Sequence, residues 1–154
     1  ENVILWINVY AVMGAFLLPL LLPPRLKPTA TLVNAMIVAV NAVLFHIIAG
    51  AKFGHYNPGL VQSLAVNAPL GLWVIYSLYS RALVSRKQVL GAFLVVGVPG
   101  QPLFAVGPMI LANRGVLTYP MQHALQLVLQ LGLIPFVAAQ LAGRAEASKA
   151  AKAP

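Results

Sequence analysis

Five long apolar stretches, separated by short breaks rich in Pro, Gly or basic residues, are the feature of this sequence that most limits its fold. Each stretch is close to the ~20 residues that an α-helix needs to cross the hydrocarbon core of a bilayer. A water-soluble domain of 154 residues could not bury this much apolar surface, because 60% of the side chains are hydrophobic and the mean hydropathy is +0.87. The sequence therefore predicts an all-α integral membrane protein, a bundle of about five transmembrane helices.

The breaks between the apolar stretches set the predicted helix boundaries. The third stretch, for example, begins at Asn57-Pro58-Gly59, where Asn is a favoured N-cap and Pro fits the first helical turn. Residues 1–142 are predicted to form a single transmembrane domain, and residues 143–154 a mobile cytoplasmic tail. The predicted spans cover residues 3–22, 31–50, 58–79, 88–111 and 120–141.

The distribution of Lys and Arg predicts the orientation of the chain. If all five segments cross, eight of the ten basic side chains share one side, and Lys52 and Arg114 lie on the other. Basic residues are enriched in cytoplasmic connections, so we expect the C-terminus in the cytoplasm and the N-terminus outside. If segment four dips into the bilayer and returns, the split becomes six against four.

The shortage of acidic residues excludes several kinds of function. Glu1 and Glu146 are the only carboxylate side chains, and there is no Cys. Carboxylate bases, proton-relay acids and thiolate nucleophiles inside the bilayer are therefore not expected, and the remaining side chains suggest no catalytic grouping. We predict that the protein is not an enzyme. The net charge of +8 is explained by the basic connections, so membrane lipids rather than nucleic acid are the expected partners.

Small and polar residues at membrane depth are the first candidate functional group. Gly59, Ser63, Asn67 and Gly71 recur every four residues in the third segment and therefore share one helix face. Small residues let two helices approach closely, which predicts a helix-packing seam. A substrate groove is the alternative.

A second candidate group is a stripe of amides in the fifth segment. Gln122, Gln126 and Gln130 follow one another at four-residue steps. Three amides in a row are costly against lipid, so we expect this stripe to contact a partner subunit. A polar pocket and internal packing remain the alternatives.

Two histidines lie at the same predicted depth in the outer leaflet. His46 is about four residues from the outer end of segment two, and His123 lies a similar distance inside segment five. Two facing imidazoles could ligate a haem iron, and one alone could ligate a chlorophyll-type magnesium. An interhelical hydrogen bond is the alternative interpretation. His55 is predicted to be interfacial.

Segment four contains residues that interrupt a helix. Gly97, Pro99, Gly100 and Pro102 fall near its middle, and proline has no N–H to donate, so the helix is predicted to be kinked or broken there. In transporters, such breaks expose backbone groups that coordinate a substrate. A structural kink whose free carbonyls bond to neighbours is the alternative.

Three runs between Asn41 and Leu72 carry a family resemblance: NAVLFH at 41–46, HYNPGLV at 55–61 and NAPLGL at 67–72. This stretch resembles the second half of the HXXEE-domain family of small bacterial integral membrane proteins. The motif of that name, a His followed two residues later by paired Glu, does not occur in this sequence, since His46 is followed by Ile47-Ile48-Ala49-Gly50. No role of the motif is therefore carried over. The resemblance implies a bacterial multi-pass membrane protein. We expect it in the inner (cell) membrane.

Three functional hypotheses follow from these features. The first, which we predict, is a non-catalytic accessory or structural subunit of a larger membrane complex. It would pack through the third-segment seam and the fifth-segment amides, with other membrane subunits and bound lipids as partners. The second is tetrapyrrole binding, to haem or a chlorophyll-type pigment, through His46 and His123. The third is a small transporter or lipid-handling protein built around the break in segment four.

Overall fold

The structure is a computed structural model that describes residues 17–53, 60–97, 99–100, 103 and 107–150. These residues contain no strand, which confirms the predicted all-helical architecture for this part of the chain. A short helical turn at 17–21 precedes five helices, which we number in chain order. They are α1 (Lys27–Val40, Asn41–Ile48 and Ala49–Phe53), α2 (Leu60–Gln62, Ser63–Asn67 and Ala68–Ser80), α3 (Arg86–Ala92 and Phe93–Gly97), α4 (Gly107–Asn113) and α5 (Tyr119–Ala150).

The first three helices each contain a segment of wider π geometry: Asn41–Ile48, Ser63–Asn67 and Phe93–Gly97. In α2 the sequence explains it, because Pro69 has no N–H and its ring would clash with the carbonyl one turn earlier. The N–H of Ala68 instead donates to the carbonyl of Ser63, which adds a residue to the turn and relieves that clash. The π segments of α1 and α2 contact each other.

The turn that follows α2 is closed by backbone hydrogen bonds. The N–H of Ala82 donates to the carbonyl of Tyr79, and the N–H of Leu83 donates to the carbonyl of Leu78, both at 3.0 Å. This pair of bonds is a Schellman motif, whose central residue adopts a left-handed conformation. Ala82 has φ 54°, and Gly115 occupies the same position after α4 with φ 71°. The connection between α2 and α3 is therefore short and defined.

Helix α1 is central, since it contacts α2, α3 and α5. Large apolar side chains fill the space between α1, α3 and α5, whereas α2 approaches α1 through the small buried residues Ala68 and Gly71. The two sides of α1 are therefore packed differently. The buried core residues are Ala30, Leu32, Val33, Met36, Val40, Val84, Ala92, Val96, Ile134, Val137, Ala138 and Leu141.

Three of the described helices are long and apolar enough to cross a membrane: Lys27–Lys52, Leu60–Ser80 and Tyr119–Ala145. This count is lower than the predicted five. The first predicted span lies outside the described residues, apart from 17–22. The fourth predicted span falls on α3 and α4, between which the structure describes only residues 99–100 and 103, so no continuous described helix covers it.

Helix α5 is longer than the sequence predicted. It continues through Ala150, beyond the predicted end at residue 141 and into the predicted tail. The added residues include Ala, Arg, Glu and Lys, which have high helix propensity. The helix also continues past Pro135, which removes one hydrogen bond from its interior.

Candidate functional site

The contact between α1 and α2 depends on the absence of a side chain at Gly71. A Cβ placed on Gly71 would lie 2.9 Å from the Cβ of Ala39 and 3.1 Å from the carbonyl oxygen of Ala35. Ser63, on the same face two turns earlier, is also buried, and Asn67 between them is half-buried. Ser63 and Gly71 are thus enclosed within this chain. Gly59, the remaining residue of the predicted seam, lies outside the described residues.

Ser63 is an unusual member of this seam. Its side chain is 0% exposed, and its hydroxyl oxygen has no hydrogen-bond partner among the described residues. A buried polar group without a partner costs about 1–3 kcal/mol. A water molecule or a ligand atom that reached this hydroxyl would therefore gain a hydrogen bond at the contact between the two π segments.

The amides predicted on the fifth segment are directed into the bundle. Gln122 is 3% exposed and Gln126 is 7% exposed. Helix α5 packs against Lys27–Val40 of α1 and against α4. Two of the three amides are therefore enclosed by this chain. Gln130 lies in α5, but its side chain is outside the described part of the structure.

The two candidate haem ligands belong to different helix contacts. His46 is half-buried in the π segment of α1, which packs against the π segment of α2. His123 is half-buried near the start of α5, whose principal contact with α1 is at Lys27–Val40. The packing therefore does not by itself pair the two imidazoles.

The Nδ1 atom of His123 is nevertheless buried, and it has no hydrogen-bond partner within the described ranges. Those ranges contain no cluster of three or more His, Cys, Asp or Glu residues that could hold a metal ion. His55 lies outside them. A ligand at His123 would therefore have to be one that a single imidazole can hold.

The predicted break in segment four lies partly within the described residues. Gly97 is buried against α1, where an added Cβ would lie 3.1 Å from Cγ2 of Val40. Pro99 is exposed in a bend, and Gly100 is buried. Pro102 lies outside the described residues. Gly97 therefore serves close packing on α1, and the bend falls at Pro99.

The sequence analysis missed a polar contact centred on Gln88. This side chain is 9% exposed, and its Nε2 donates to Oγ1 of Thr29 at 3.4 Å and to the carbonyl oxygen of Leu141 at 3.5 Å. Its Oε1 accepts from the backbone N–H of Ser85 at 2.8 Å, and the N–H of Gln88 donates to Oγ of Ser85 at 3.3 Å. The spacing Ser85-x-x-Gln88 is a capping box, which the sequence could have revealed.

The opposite side of α2 from Gly71 is covered by no other described part of the chain. In the apolar stretch of α2, 17% of the residues are buried, against 50% in α1. We call the residues Gln62, Ala65, Pro69, Trp73 and Tyr76, which recur at three- and four-residue steps, the outer face of α2. All five are exposed, and the exposed fractions of Trp73 and Tyr76 are 61% and 67%.

A groove of about 360 Å³ runs between the end of α2 and the start of α3. We call it the α2–α3 groove. Its lining is mainly apolar and aromatic, and Arg86 is its one charged residue. The lining residues are Leu72, Ile75, Tyr76, Tyr79, Arg86 and Val89.

Comparison with known proteins relates the first half of the chain to a family. Residues 2–74 match a family described as proteins of unknown function with an HXXEE motif. The matched region contains Asn41–Leu72, so the resemblance predicted from the sequence is confirmed. It covers the first half of the chain, however, and begins well before the stretch on which the prediction rested.

One curated relative is the uncharacterized protein YrkK of Bacillus subtilis (strain 168), which is 34% identical over 61 residues. The alignment covers 40% of this chain and 39% of YrkK, so the chain spans well under half of the relative's length. No solved structure matches the chain.

Proposed function

We propose, from the match of residues 2–74 to the HXXEE family, that the chain is a non-catalytic accessory subunit of a larger membrane assembly. In this proposal the chain crosses a bacterial inner membrane five times, with its N-terminus outside and its C-terminus in the cytoplasm. The observation that carries the proposal is the outer face of α2, which the described chain leaves uncovered.

The outer face of α2 has a composition suited to a protein partner. Trp73 and Tyr76 are large aromatic residues of the kind that anchor protein interfaces. Gln62 places an exposed amide on the same face, about three turns before Trp73. Pro69 has no N–H, so it cannot satisfy the carbonyls of the preceding turn. Hydrocarbon cannot form hydrogen bonds with this amide or with these carbonyls, whereas polar side chains of a partner helix can.

The docking surface in this proposal differs from the surfaces that the sequence suggested. Ser63 and Gly71 are occupied by α1, and Gln122 and Gln126 are buried within the chain. A partner could reach them only if the bundle opened. The outer face of α2 requires no such change, because its residues are already exposed.

The contact at Gln88 supports the proposed topology. Thr29 lies two residues before the second predicted span, Gln88 begins the fourth and Leu141 ends the fifth. These three residues meet at one end of the bundle. Alternate crossing by spans two to five places all three on the same side. If segment four dipped and returned, Leu141 would instead lie on the opposite side from Gln88.

Site-specific photocrosslinking in native membranes tests the docking surface. A photoreactive amino acid at Trp73 or Gln62 is expected to capture the partner subunit in stoichiometric yield. Val128 on α5 is the control position, since its side chain is 64% exposed but lies on a different helix. Lipid adducts alone at Trp73 and Gln62, or equal capture of one protein from all three positions, would contradict the proposal.

Native mass spectrometry of the protein extracted in mild detergent gives an independent measurement. A stoichiometric complex with other membrane subunits is expected. A bare monomer, or an assembly containing only copies of this chain, would argue against an accessory role. The same spectrum would reveal any retained cofactor by its mass.

A second candidate function, tetrapyrrole binding, is favoured by one observation. The buried Nδ1 of His123 has no partner in the described part of the chain, and a single imidazole is sufficient to ligate haem iron or chlorophyll-type magnesium. In this case the purified protein is expected to absorb visible light and to lose that absorbance in His123→Ala but not in His46→Ala. A folded, colourless preparation from the native membrane would remove this candidate.

A further inference from the structure

The α2–α3 groove combines an apolar channel with a cationic rim. Leu72, Ile75, Tyr76 and Tyr79 recur at three- and four-residue steps, so they form one stripe along α2. From Leu72 to Tyr79 this stripe extends about 10 Å along the helix axis. Arg86 and Val89 line the facing side from the first turn of α3. The groove therefore runs from apolar side chains towards a guanidinium.

The connection between the two helices holds this arrangement in place. The Schellman bonds at Ala82 and Leu83 end α2 directly after Tyr79 and Ser80. The capping box of Ser85 and Gln88 then fixes the start of α3, and Gln88 is itself bonded to α1 and α5. Arg86 thus projects from a turn with defined backbone geometry.

The positive charge of the connection between α2 and α3 is not neutralised by nearby carboxylates in the sequence. Arg81, Arg86 and Lys87 lie in or beside the connection, and all three are exposed. The sequence contains no carboxylate side chain between residues 2 and 145. An anion supplied from outside the chain is therefore the natural counter-charge for Arg86.

We propose that the α2–α3 groove binds an anionic phospholipid, with the phosphate at Arg86 and one acyl chain along Leu72, Ile75 and Val89. The tyrosines contribute amphipathic rings, which are favoured at the level of lipid headgroups. Guanidinium groups bind phosphate oxygens in a planar, two-pronged geometry. The groove shares Tyr76 with the outer face of α2, but Arg86 and Val89 of α3 belong to the groove alone, so a change at Arg86 tests the lipid site separately from the outer-face docking.

Native mass spectrometry of the delipidated, detergent-solubilised full chain tests this proposal. The protein is titrated separately with phosphatidylglycerol and phosphatidylcholine of identical acyl chains. The first lipid is expected to bind more tightly. In Arg86→Gln its affinity is expected to fall about fivefold, the contribution of one interfacial cation, while phosphatidylcholine binding stays unchanged.

Arg81→Gln is the matched control, since it removes the same charge from the same connection but not from the groove lining. Thermal unfolding of both variants without lipid verifies that each is folded. If the two variants lose phosphatidylglycerol binding equally, binding depends on the overall positive charge of the connection and not on a specific site at Arg86. That result would overturn the proposal. Equal binding of the two lipids would overturn it as well. Inorganic phosphate is titrated in the same way. If it binds as tightly as phosphatidylglycerol, the groove is a site for free anions and not for a lipid.

Discussion

Oγ1 of Thr29 and Nε2 of Gln88 lie 3.4 Å apart, and this hydrogen bond joins the starts of α1 and α3. The same Nε2 donates to the carbonyl oxygen of Leu141, so one amide connects three helices. Its Oε1 caps α3 through the N–H of Ser85. Gln88 therefore couples the local start of a helix to the assembly of the bundle.

Replacing Gln88 by Leu should destabilise the protein. The substitution leaves Ser85 without its capping partner and Thr29 without its donor, for a loss of about 1–3 kcal/mol in the free energy of unfolding. Thermal unfolding in detergent micelles measures the change. Gln140→Leu is the control, because Gln140 is an exposed amide on α5. Equal stability of the two variants would show that the buried contacts of Gln88 contribute little.

Gly71→Ala and Gly132→Ala should change stability in opposite directions. A methyl group on Gly71 would meet Ala39 at 2.9 Å, which forces α1 and α2 apart at a cost of about 1–3 kcal/mol. A Cβ added to Gly132 would meet no atom within 4 Å beyond the local backbone of its own helix, so the higher helix propensity of Ala should stabilise α5 by up to about 1 kcal/mol. Both are measured by thermal unfolding. A stabilising Gly71→Ala would mean that α1 and α2 do not pack as closely as described.

The two left-handed turn residues predict another pair of opposite effects. Ala82 has φ 54°, where a Cβ is strained, so Ala82→Gly should raise the free energy of unfolding by about 1 kcal/mol. Gly115 has φ 71°, so Gly115→Ala should lower it by a similar amount. Equilibrium unfolding of the two variants checks both signs. A destabilising Ala82→Gly would indicate that the turn after α2 is not left-handed.

Cysteine labelling can test whether segment four crosses the membrane. The chain has no native Cys, so Arg81→Cys and Arg114→Cys each create a single reactive site. Both positions are exposed in turns on either side of that segment. A membrane-impermeant maleimide should label Arg114→Cys in intact cells and Arg81→Cys only after permeabilisation. Labelling of both variants from the same side would show that segment four dips and returns.

Several features were predictable because they depend on residues close together in the sequence. The apolar stretches predicted helices, and α1 and α2 begin and end within four residues of the predicted boundaries. Helix α5 begins near its predicted start but extends beyond its predicted end. The four-residue spacing of Ser63 and Gly71 placed them on one face. Pro69 and its π turn are also a local effect, since proline removes a hydrogen bond within its own helix.

Which helix each face contacts could not be predicted in the same way. Helix association in lipid depends on van der Waals fit and interhelical hydrogen bonds, because the surrounding hydrocarbon is as apolar as the helix surfaces. The residues that make these contacts are far apart in sequence. Thr29 and Gln88 are 59 residues apart, and Gln88 and Leu141 are 53 apart. Contacts between residues this far apart produce no periodic pattern in the sequence.

The sequence by itself determined the helical architecture, the apolar character expected of membrane spans and the small residues available for close contact, since these follow from composition and short-range periodicity. The tertiary structure decided that Gly71 meets Ala39, that Gln122 and Gln126 are enclosed, and that the outer face of α2 is left uncovered by the described residues. Those outcomes depend on how complete helices fit against one another, which is a property of the assembled bundle and not of any one segment.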